Sequence, residues 1–217
     1  MNAADGYSGY RERLADELRA KGIHDLAVLR AVTEVPRHQF VPEALRHRAY
    51  EDSALPIGGG QTISQPYVQA RSLEALELTG RERVLEVGAG SGYQTALLAQ
   101  VADSVIAVER IPALAAEARR RLNALGLRNV TIVVGDGSLG WRSLAPFDAI
   151  VVAAGSPRVP EPLIEQLSPG GRMVIPVGDR SDQSLVLVTK TKDGSIQQAP
   201  LSDVRFVPLL GEFGFGR

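Results

Sequence analysis

The sequence predicts an α/β fold in which helices cover both faces of an open, doubly wound, mostly parallel sheet of seven strands. From Arg83 onward, short apolar runs alternate with helical segments. The early runs are almost continuously apolar, as expected for parallel strands that are buried on both faces. A glycine-rich turn joins the first run to the helix after it. This alternating order indicates right-handed β-α-β crossovers.

The first third of the chain is predicted to be helical. An amphipathic helix over residues 11–21 is followed by Gly22, a residue type that favours the position just after a helix. A second helix begins after Asp25, which can cap its N-terminus, and ends at Pro36. A third, short helix is predicted over residues 43–49.

The segment from Leu55 to Pro66 is rich in glycine and proline, which predicts a loop without regular structure. A helix over residues 66–78 follows it. The seven strands are predicted at 84–87, 104–108, 130–134, 147–152, 171–177, 185–188 and 204–207. We expect a single domain over residues 1–217, in which a helical layer and loop (1–80) cover the sheet (81–217).

The overall charge of the chain argues against partners that are selected by bulk electrostatics. The 217 residues include 24 basic and 25 acidic side chains, which gives a net charge of −1. We therefore expect no long nucleic acid and no anionic membrane as a partner. With no cysteine and three histidines outside any metal-binding spacing, we also expect no bound metal.

Targeting segments are not predicted either. Residues 1–10 are polar and contain no apolar core of a secretory signal. No apolar run approaches the roughly 20 residues that a membrane-spanning helix needs. We expect a cytoplasmic protein that is a monomer.

The glycine-rich turn is the first candidate binding site. It contains Gly88, Gly90 and Gly92, with Ser91 between the last two, and Glu86 stands at the end of the preceding strand. Open α/β sheets bind ligands at the carboxyl ends of their strands. Glycine lets the backbone approach a ligand closely and adopt positive φ, although a structural tight turn has the same composition.

Acidic residues at two further strand ends add to this pattern. Glu109 ends the second strand, where a carboxylate can bind both hydroxyl groups of a ribose. Asp136, which Gly137 follows, comes after the third strand and can accept a hydrogen bond from the amino group of adenine. With Glu86, these residues predict a site for a nucleoside.

The spacing favours S-adenosylmethionine over a dinucleotide. The dinucleotide motif GxGxxG requires glycine at position 93, where this chain has Tyr93. A pyrophosphate also prefers a helix N-terminus without a nearby carboxylate. Glu86 is instead well placed to face the ammonium group of a methionine moiety, directly or through water.

Several segments narrow the choice of methyl acceptor. The Asn/Asp-Pro-Pro-aromatic signature of many amine methyltransferases is absent after the fourth strand. Characteristic segments occur in order at 35–42, 54–66, 84–93, 135–137, 145–148, 170–178 and 204–209. On these segments the chain resembles the protein-L-isoaspartate O-methyltransferases, which initiate the repair of isomerised aspartates. The most specific are the Thr-Ile-Ser-Gln-Pro loop (62–66) and the Val-Arg-Phe-Val-Pro-Leu end (204–209).

This resemblance implies a Rossmann-like sheet of the methyltransferase type and assigns roles to particular residues. Ser64 is implied to be the catalytic residue, and Ile63 and Ser64 to contact the cofactor. Ser64, Gln65, Val204 and Val207 are implied to contact the substrate. On position alone, Ser64 also fits a helix N-cap before Pro66.

The sequence differs from the family at residues 68–72, where polar residues replace a more apolar run. Arg37 and His38 are predicted to fix the interface between the N-terminal helices and the sheet. The tail over residues 211–217 is predicted to be mobile.

The implied reaction is an in-line attack of an isoaspartyl carboxylate in damaged proteins and peptides on the methyl group of S-adenosylmethionine. The product ester then closes to a succinimide without the enzyme. Three alternatives remain: a methyltransferase for RNA or a small molecule, a dinucleotide-dependent oxidoreductase, and a scaffold without catalytic activity.

Overall fold

The N-terminal layer consists of two α-helices and two short 3-10 helices. The structure is a computed structural model that describes residues 6–216. Helix α1 covers Ser8–Ala20 and α2 covers Leu26–Glu34, and the 3-10 helices cover Arg37–Phe40 and Glu43–Arg48. Residues 1–5, part of the segment considered for a signal, and Arg217 at the end of the tail lie outside the described residues.

The two predicted helix boundaries in this layer are confirmed. Gly22 has φ of +96° just after α1, a conformation that glycine adopts without steric cost. Oδ1 of Asp25 accepts hydrogen bonds from the backbone N–H groups of Ala27 (2.8 Å) and Val28 (3.2 Å). Asp25 is therefore the N-cap of α2.

The segment after this layer forms a β-hairpin, so the prediction of a loop without regular structure is wrong. Strand β1 (Leu55–Gly58) pairs antiparallel with β2 (Gln61–Ile63). Gly59 and Gly60 have φ of +60° and +70° and form the turn between them. The glycines that suggested a loop therefore supply the left-handed conformations of a tight hairpin turn. Helix α3 (Pro66–Ala75) follows directly.

The remaining elements form the seven-stranded sheet with its helices, as predicted. In chain order they are β3 (Arg83–Val87), α4 (Tyr93–Val101), β4 (Ser104–Glu109), α5 (Pro112–Ala124), β5 (Val130–Val134), β6 (Phe147–Val152), α6 (Glu161–Gln166), β7 (Leu167–Gly178), β8 (Gln183–Lys190) and β9 (Ile196–Val204). The strand order is β5-β4-β3-β6-β7-β8-β9. The first five strands in this order, β5 to β7, are parallel to one another, β8 pairs antiparallel with β7, and β9 pairs antiparallel with β8.

The last strand lies earlier in the chain than predicted, since β9 ends at Val204, where the prediction began. Beyond it, the N–H of Phe206 donates to the side-chain Oε1 of Gln183 over 2.7 Å instead of to a neighbouring strand. Pro208, which has no N–H, pairs through an isolated bridge with Gly155. This exit from the sheet brings residues 205–208 to the carboxyl ends of the parallel strands.

Apolar side chains pack on both faces of the sheet. On one face, residues of α1 and α2 such as Leu18 and Val32 share a continuous core with Val84 of β3 and Val105 of β4. On the other face, Leu163 of α6 packs in a core that includes the remaining inward side chains of the parallel strands. The shared core supports a single domain, which stays a prediction. Within residues 6–216, none of the helices is long and apolar enough to cross a bilayer.

Candidate active site

A cleft lies at the carboxyl ends of β3 and β4, and its empty space together with the solvent at its mouth amounts to about 770 Å³. Its floor is the glycine-rich turn, and the β1–β2 hairpin covers it. The predicted cofactor residues that line this first cleft are Ile63, Ser64, Glu86, Gly88, Gly90, Ser91, Glu109 and Gly137. The predicted cofactor residues Gly92 and Asp136 are not part of its lining.

The glycine turn needs positive φ at three positions, with values of +89° for Gly88, +54° for Gly90 and +89° for Gly92. Gly88 and Gly90 line the first cleft, where a side chain would narrow the space for a ligand. A Cβ at Gly92 would lie 3.1 Å from the Cβ of Ala118. Gly92 therefore permits the close packing of α4 against α5.

The hairpin lies directly over this turn. A Cβ at Gly90 would lie 3.4 Å from Cδ1 of Ile57 in β1. A Cβ at Gly59, at the tip of the hairpin, would lie 3.5 Å from Cδ1 of Ile111. The first cleft is thus enclosed between the hairpin and the ends of the parallel strands.

Glu86 is fully buried at the base of the first cleft. Oγ1 of Thr95 donates a hydrogen bond to its Oε2 over 2.5 Å. Its Oε1 and the nearby Nε2 of Gln94 have no hydrogen-bond partner within residues 6–216. Burial raises the pKa of Glu86 to about 8, although the Thr95 bond opposes this rise. The unpaired oxygen can accept a hydrogen bond from a ligand donor such as an ammonium group.

Glu109 lines the same cleft and fixes the glycine turn. Its Oε2 accepts a hydrogen bond from the N–H of Gly90 (2.9 Å), and Oε1 accepts one from the N–H of Ile111 (2.8 Å). The side chain is almost completely buried, with 6% of the residue exposed. Glu109 therefore holds the two backbone segments that border the cleft on this side.

The carboxylate of Asp136 accepts hydrogen bonds from other residues of the chain. Its Oδ1 accepts hydrogen bonds from the N–H (2.9 Å) and Oγ (2.7 Å) of Ser138, and Oδ2 accepts one from the N–H of Glu212 (2.8 Å). Partial burial raises its pKa, but these hydrogen bonds outweigh that effect and lower it overall. Gly137 borders the cleft instead, and a Cβ there would lie 2.5 Å from Cγ1 of Val87. Only glycine fits this position.

The C-terminal tail also contributes to the site, which sequence reasoning missed. Leu210 lines the first cleft. The N–H of Phe213 donates to Oγ of Ser138 (3.1 Å), and the N–H of Phe215 donates to the carbonyl of Leu209 (2.7 Å). These contacts hold residues 211–216 against the site and argue against the prediction of a mobile tail, which stays untested. The apolar Leu209-Leu210 pair and the two phenylalanines were the available signal that this tail packs.

Ser64 lies between β2 and α3. The N-cap of α3 is Gln65, whose own side chain makes no capping hydrogen bond, so the interpretation of Ser64 as the N-cap is wrong. The proline at the first helical position needs no capping of its own nitrogen, which reduces the demand for such a side chain. The Ser64 hydroxyl is therefore not used to start the helix.

A second cleft of about 1010 Å³ adjoins the first. All four residues predicted to contact the substrate, Ser64, Gln65, Val204 and Val207, line it. Thr62, Ser64, Ala153 and Val207 line both clefts. Ser64 therefore stands where a ligand in the first cleft can meet a ligand in the second.

Comparison with known proteins identifies the family. The family model described as protein-L-isoaspartate(D-aspartate) O-methyltransferase (PCMT) matches residues 7–214. A protein-L-isoaspartate O-methyltransferase of Geobacter metallireducens is 53% identical over 207 residues, covering 95% of this chain and 96% of the relative. The chain belongs to this family. A second protein-L-isoaspartate O-methyltransferase, from Marinobacter nauticus, is 55% identical over 92% of this chain and 91% of its own length.

Solved structures of the family have the same fold. One protein-L-isoaspartate O-methyltransferase superposes with a TM-score of 0.83 at 32% identity, covering 94% of this chain and 67% of the other. A Plasmodium falciparum protein assigned to the same family superposes with a TM-score of 0.79 at 29% identity, over 92% of this chain and 98% of its own. That structure is a complex with S-adenosyl-L-homocysteine. The predicted family and fold class are confirmed.

Proposed function

We propose that this protein transfers a methyl group from S-adenosylmethionine to the free carboxylate of L-isoaspartyl residues in damaged proteins and peptides. Its membership of the isoaspartate O-methyltransferase family supports this activity. The observation that carries the proposal is the position of Ser64 in the lining of both clefts. A cofactor in the first cleft and a carboxylate in the second would meet beside its side chain.

The first cleft suits S-adenosylmethionine. The unpaired Oε1 of Glu86 would accept a hydrogen bond from the ammonium group of the methionine moiety. Gly88 and Gly90 leave room beside the backbone, and Glu109 would bind the ribose hydroxyls. Ile63, Ser91 and the backbone of Gly137 are further residues of the first cleft that would contact the cofactor. The cofactor supplies a methyl group on sulfur, which passes to the substrate oxygen while the bonding electron pair stays on sulfur as S-adenosylhomocysteine leaves.

The protein's own contribution is to orient the substrate and exclude water. A free carboxylate has a pKa of roughly 3.5–4 and is ionised at neutral pH, so no general base is required. The Ser64 hydroxyl donates a hydrogen bond to this carboxylate and fixes the direction of its attacking oxygen. The hairpin and the tail cover the first cleft, and the exclusion of water where the two clefts meet favours a transition state in which the charges of carboxylate and sulfonium are partly neutralised. Holding the reacting atoms at about 3–3.5 Å contributes several kcal/mol.

The substrate side of the site is formed by Gln65, Val204 and Val207 with the chain segment that follows β9. These residues line the second cleft, which is open to solvent and can admit an extended peptide. The methyl ester formed there closes to a succinimide after release, because the neighbouring backbone nitrogen displaces methanol without the enzyme. Hydrolysis of the succinimide returns part of the material to normal aspartate, and so the reaction initiates repair.

The same proposal includes a cytoplasmic, monomeric protein with damaged polypeptides as its partners, without nucleic acid or membrane. The near-neutral charge of −1 supports the choice of partners. Light scattering during size-exclusion chromatography would test the monomer, for which a mass of 23.2 kDa is expected. Cell fractionation would test the location.

The decisive experiment measures transfer of tritiated methyl groups to an isoaspartyl peptide. The same peptide with normal aspartate is the control, and a third peptide carries D-aspartate. Transfer to the isoaspartyl peptide alone, or to it and the D-aspartyl peptide, supports the proposal. Equal transfer to all three peptides would contradict selectivity for the isoaspartyl residue. Cofactor binding without transfer to any of them would contradict the proposed acceptor and favour RNA or a small molecule.

A further inference from the structure

Arg37 is a fully buried cation in the N-terminal layer, at the start of the first 3-10 helix. A buried charge is costly unless strong hydrogen bonds replace its lost hydration. Burial lowers the pKa of Arg37 to about 10, so the guanidinium still carries its charge at neutral pH. The contacts of Arg37 must therefore explain why a charged side chain is buried at this position.

Its hydrogen bonds end on three different parts of the chain. Nε donates to the carbonyl of Ala49 (2.8 Å), Nη1 to Oε1 of Gln69 in α3 (2.9 Å), and Nη2 to the carbonyl of Ser64 (2.7 Å). None of these partners is a carboxylate. The guanidinium also lies over the ring of Tyr93 in α4, 4.7 Å from its centroid. One side chain therefore connects the N-terminal layer, the segment with Ser64, and the helix that starts at the glycine turn.

Asp52 holds the same segment from a second direction. It accepts hydrogen bonds from the N–H of Tyr67 (2.8 Å) and from Nε2 of Gln65 (3.0 Å). Nζ of Lys21 donates to it as well, over 2.5 Å. The backbone around Ser64 is thus fixed on both sides, and the bond from Arg37 engages its carbonyl rather than its hydroxyl.

We propose that Arg37 is a positioning residue for methyl transfer: it fixes the Ser64 carbonyl, and thereby directs the Ser64 hydroxyl toward the junction of the two clefts. This inference rests on the proposed role of Ser64. Arginine is required because its planar guanidinium presents donors in three directions at once, whereas a lysine ammonium on a flexible chain cannot reach the same acceptors together. A displacement of the hydroxyl by about 1 Å is enough to slow a reaction that depends on alignment.

The test compares Arg37→Lys, which keeps the charge and loses the planar donors, with Leu18→Ala as a matched control. Leu18 is fully buried in α1 of the same layer and belongs to its core. Each variant is assayed well below its melting temperature for kcat and KM with an isoaspartyl peptide and for the Kd of S-adenosylhomocysteine. We expect Arg37→Lys to lower kcat by about 10- to 100-fold with Kd changed by less than about threefold. Leu18→Ala should lower the melting temperature and keep kcat.

Hydrogen exchange in the protein without ligand provides a readout that does not depend on activity. The amides of residues 61–67 should exchange faster in Arg37→Lys than in the parent protein or in Leu18→Ala. We expect a smaller increase in the exchange rate of these amides for Asp52→Asn, which preserves the shape of the side chain. This variant replaces Arg37→Lys in the experiment if Arg37→Lys fails to fold. If the parent protein transfers no methyl group, that result contradicts the proposed function alone. The exchange experiment still decides whether Arg37 fixes the segment around Ser64.

A double-variant cycle separates action through Ser64 from general damage. If Arg37 acts through Ser64, Arg37→Lys should reduce kcat far less in a Ser64→Ala background than in the parent protein. Three results would overturn the inference: wild-type kcat in folded Arg37→Lys, an equal loss of kcat in Leu18→Ala, or unchanged exchange over residues 61–67.

Discussion

Oγ1 of Thr95 donates a hydrogen bond over 2.5 Å to Oε2 of Glu86, a carboxyl group with no solvent exposure. The other oxygen of that group, Oε1, is unpaired within residues 6–216. Burial raises the pKa of Glu86 to about 8, and the nearby carboxylate of Glu109 adds to the rise. Without a ligand, the carboxyl group of Glu86 therefore carries a proton at neutral pH.

The first prediction concerns proton release. If the ammonium group of the cofactor lies beside Glu86, it favours the ionised carboxylate, and binding at pH 7 should release up to one proton. Calorimetry of S-adenosylhomocysteine binding in two buffers with different ionisation enthalpies measures this number. Glu86→Gln should abolish the release, and Glu117→Gln in α5, which does not line the first cleft, should keep it. An equal proton count in the parent protein and Glu86→Gln would refute the assigned contact.

The second prediction concerns the stability of the protein without ligand. Below about pH 4.5, Glu86 is protonated in both the folded and the unfolded chain. Between pH 4.5 and about 8, the unfolded chain ionises while the folded one stays protonated, so this contribution to stability is lost as the pH rises. The melting temperature of Glu86→Gln relative to the parent protein should therefore be higher at pH 8 than at pH 5. A difference that is independent of pH would contradict the raised pKa.

The third prediction concerns Ser64. Hydrogen bonds to charged groups contribute about 1.5–3 kcal/mol, so Ser64→Ala should lower kcat by roughly 10- to 100-fold. The Kd of S-adenosylhomocysteine should stay within about twofold, because the assigned bond is to the substrate. Ser181→Ala, a substitution in the lining of the second cleft, is the control and should keep kcat. Unchanged turnover in Ser64→Ala would remove its catalytic role.

The fourth prediction concerns Glu109. Glu109→Ala should weaken binding of S-adenosylhomocysteine by at least about tenfold, because the ribose hydroxyls lose a charged acceptor. The N–H groups of Gly90 and Ile111 also lose the acceptor that fixes them. Calorimetry measures the Kd, and Glu117→Ala, in a partly exposed surface ion pair, should bind like the parent protein. A Kd near the parent value for Glu109→Ala would exclude the assigned contact.

The fifth prediction concerns the tail. Deletion of residues 212–217 removes the hydrogen bonds to Asp136 and Ser138 and frees Leu210 at the border of the first cleft. Each bond contributes about 1 kcal/mol, so the Kd of S-adenosylhomocysteine should rise about tenfold while the melting temperature falls by only a few degrees. Arg180→Ala removes the contact with the ring of Phe215 and the hydrogen bond from Nη2 to the carbonyl of Gly216 (2.9 Å) but keeps the bonds to Asp136 and Ser138, so it should have a smaller effect. A truncated protein with the parent Kd would show that the tail has no part in the site.

The accuracy of the sequence predictions followed the apolar character of each segment. The strand at 147–152 lies inside the sheet and was predicted with the bounds that the structure has, because a buried parallel strand is a continuous apolar run. The strand at 130–134 was also predicted with its observed bounds, since it is apolar in sequence although β5 is a partly exposed edge strand. The edge strand β9 was missed over most of its length because its residues are largely exposed and polar, and it contains Pro200. Helix α6, of six residues, is too short to produce a helical period.

The site residues also differ in how far the sequence predicted them. Glu86, Gly88, Gly90 and Glu109 stand at strand ends, so their meeting follows from the parallel order of the strands. The hydrogen bond between Asp136 and Glu212 joins residues 76 positions apart, so no local sequence pattern predicts it. The choice of Ser64 depended on family resemblance, since its spacing from Pro66 alone indicated an N-cap.

The hairpin over the glycine turn has a kinetic consequence. Ile57 lies over Gly90 and Gly59 lies against Ile111, so we expect a ligand in the first cleft to leave faster when these two strands lift. A two-stranded ribbon of this length is only marginally stable by itself, so it can open while the main sheet stays intact. The residence time of the spent cofactor would then depend on turn residues that touch none of the reacting atoms. Substitutions that stiffen or loosen that turn would change the rate at which the spent cofactor is released and leave the rate of the chemical step unchanged.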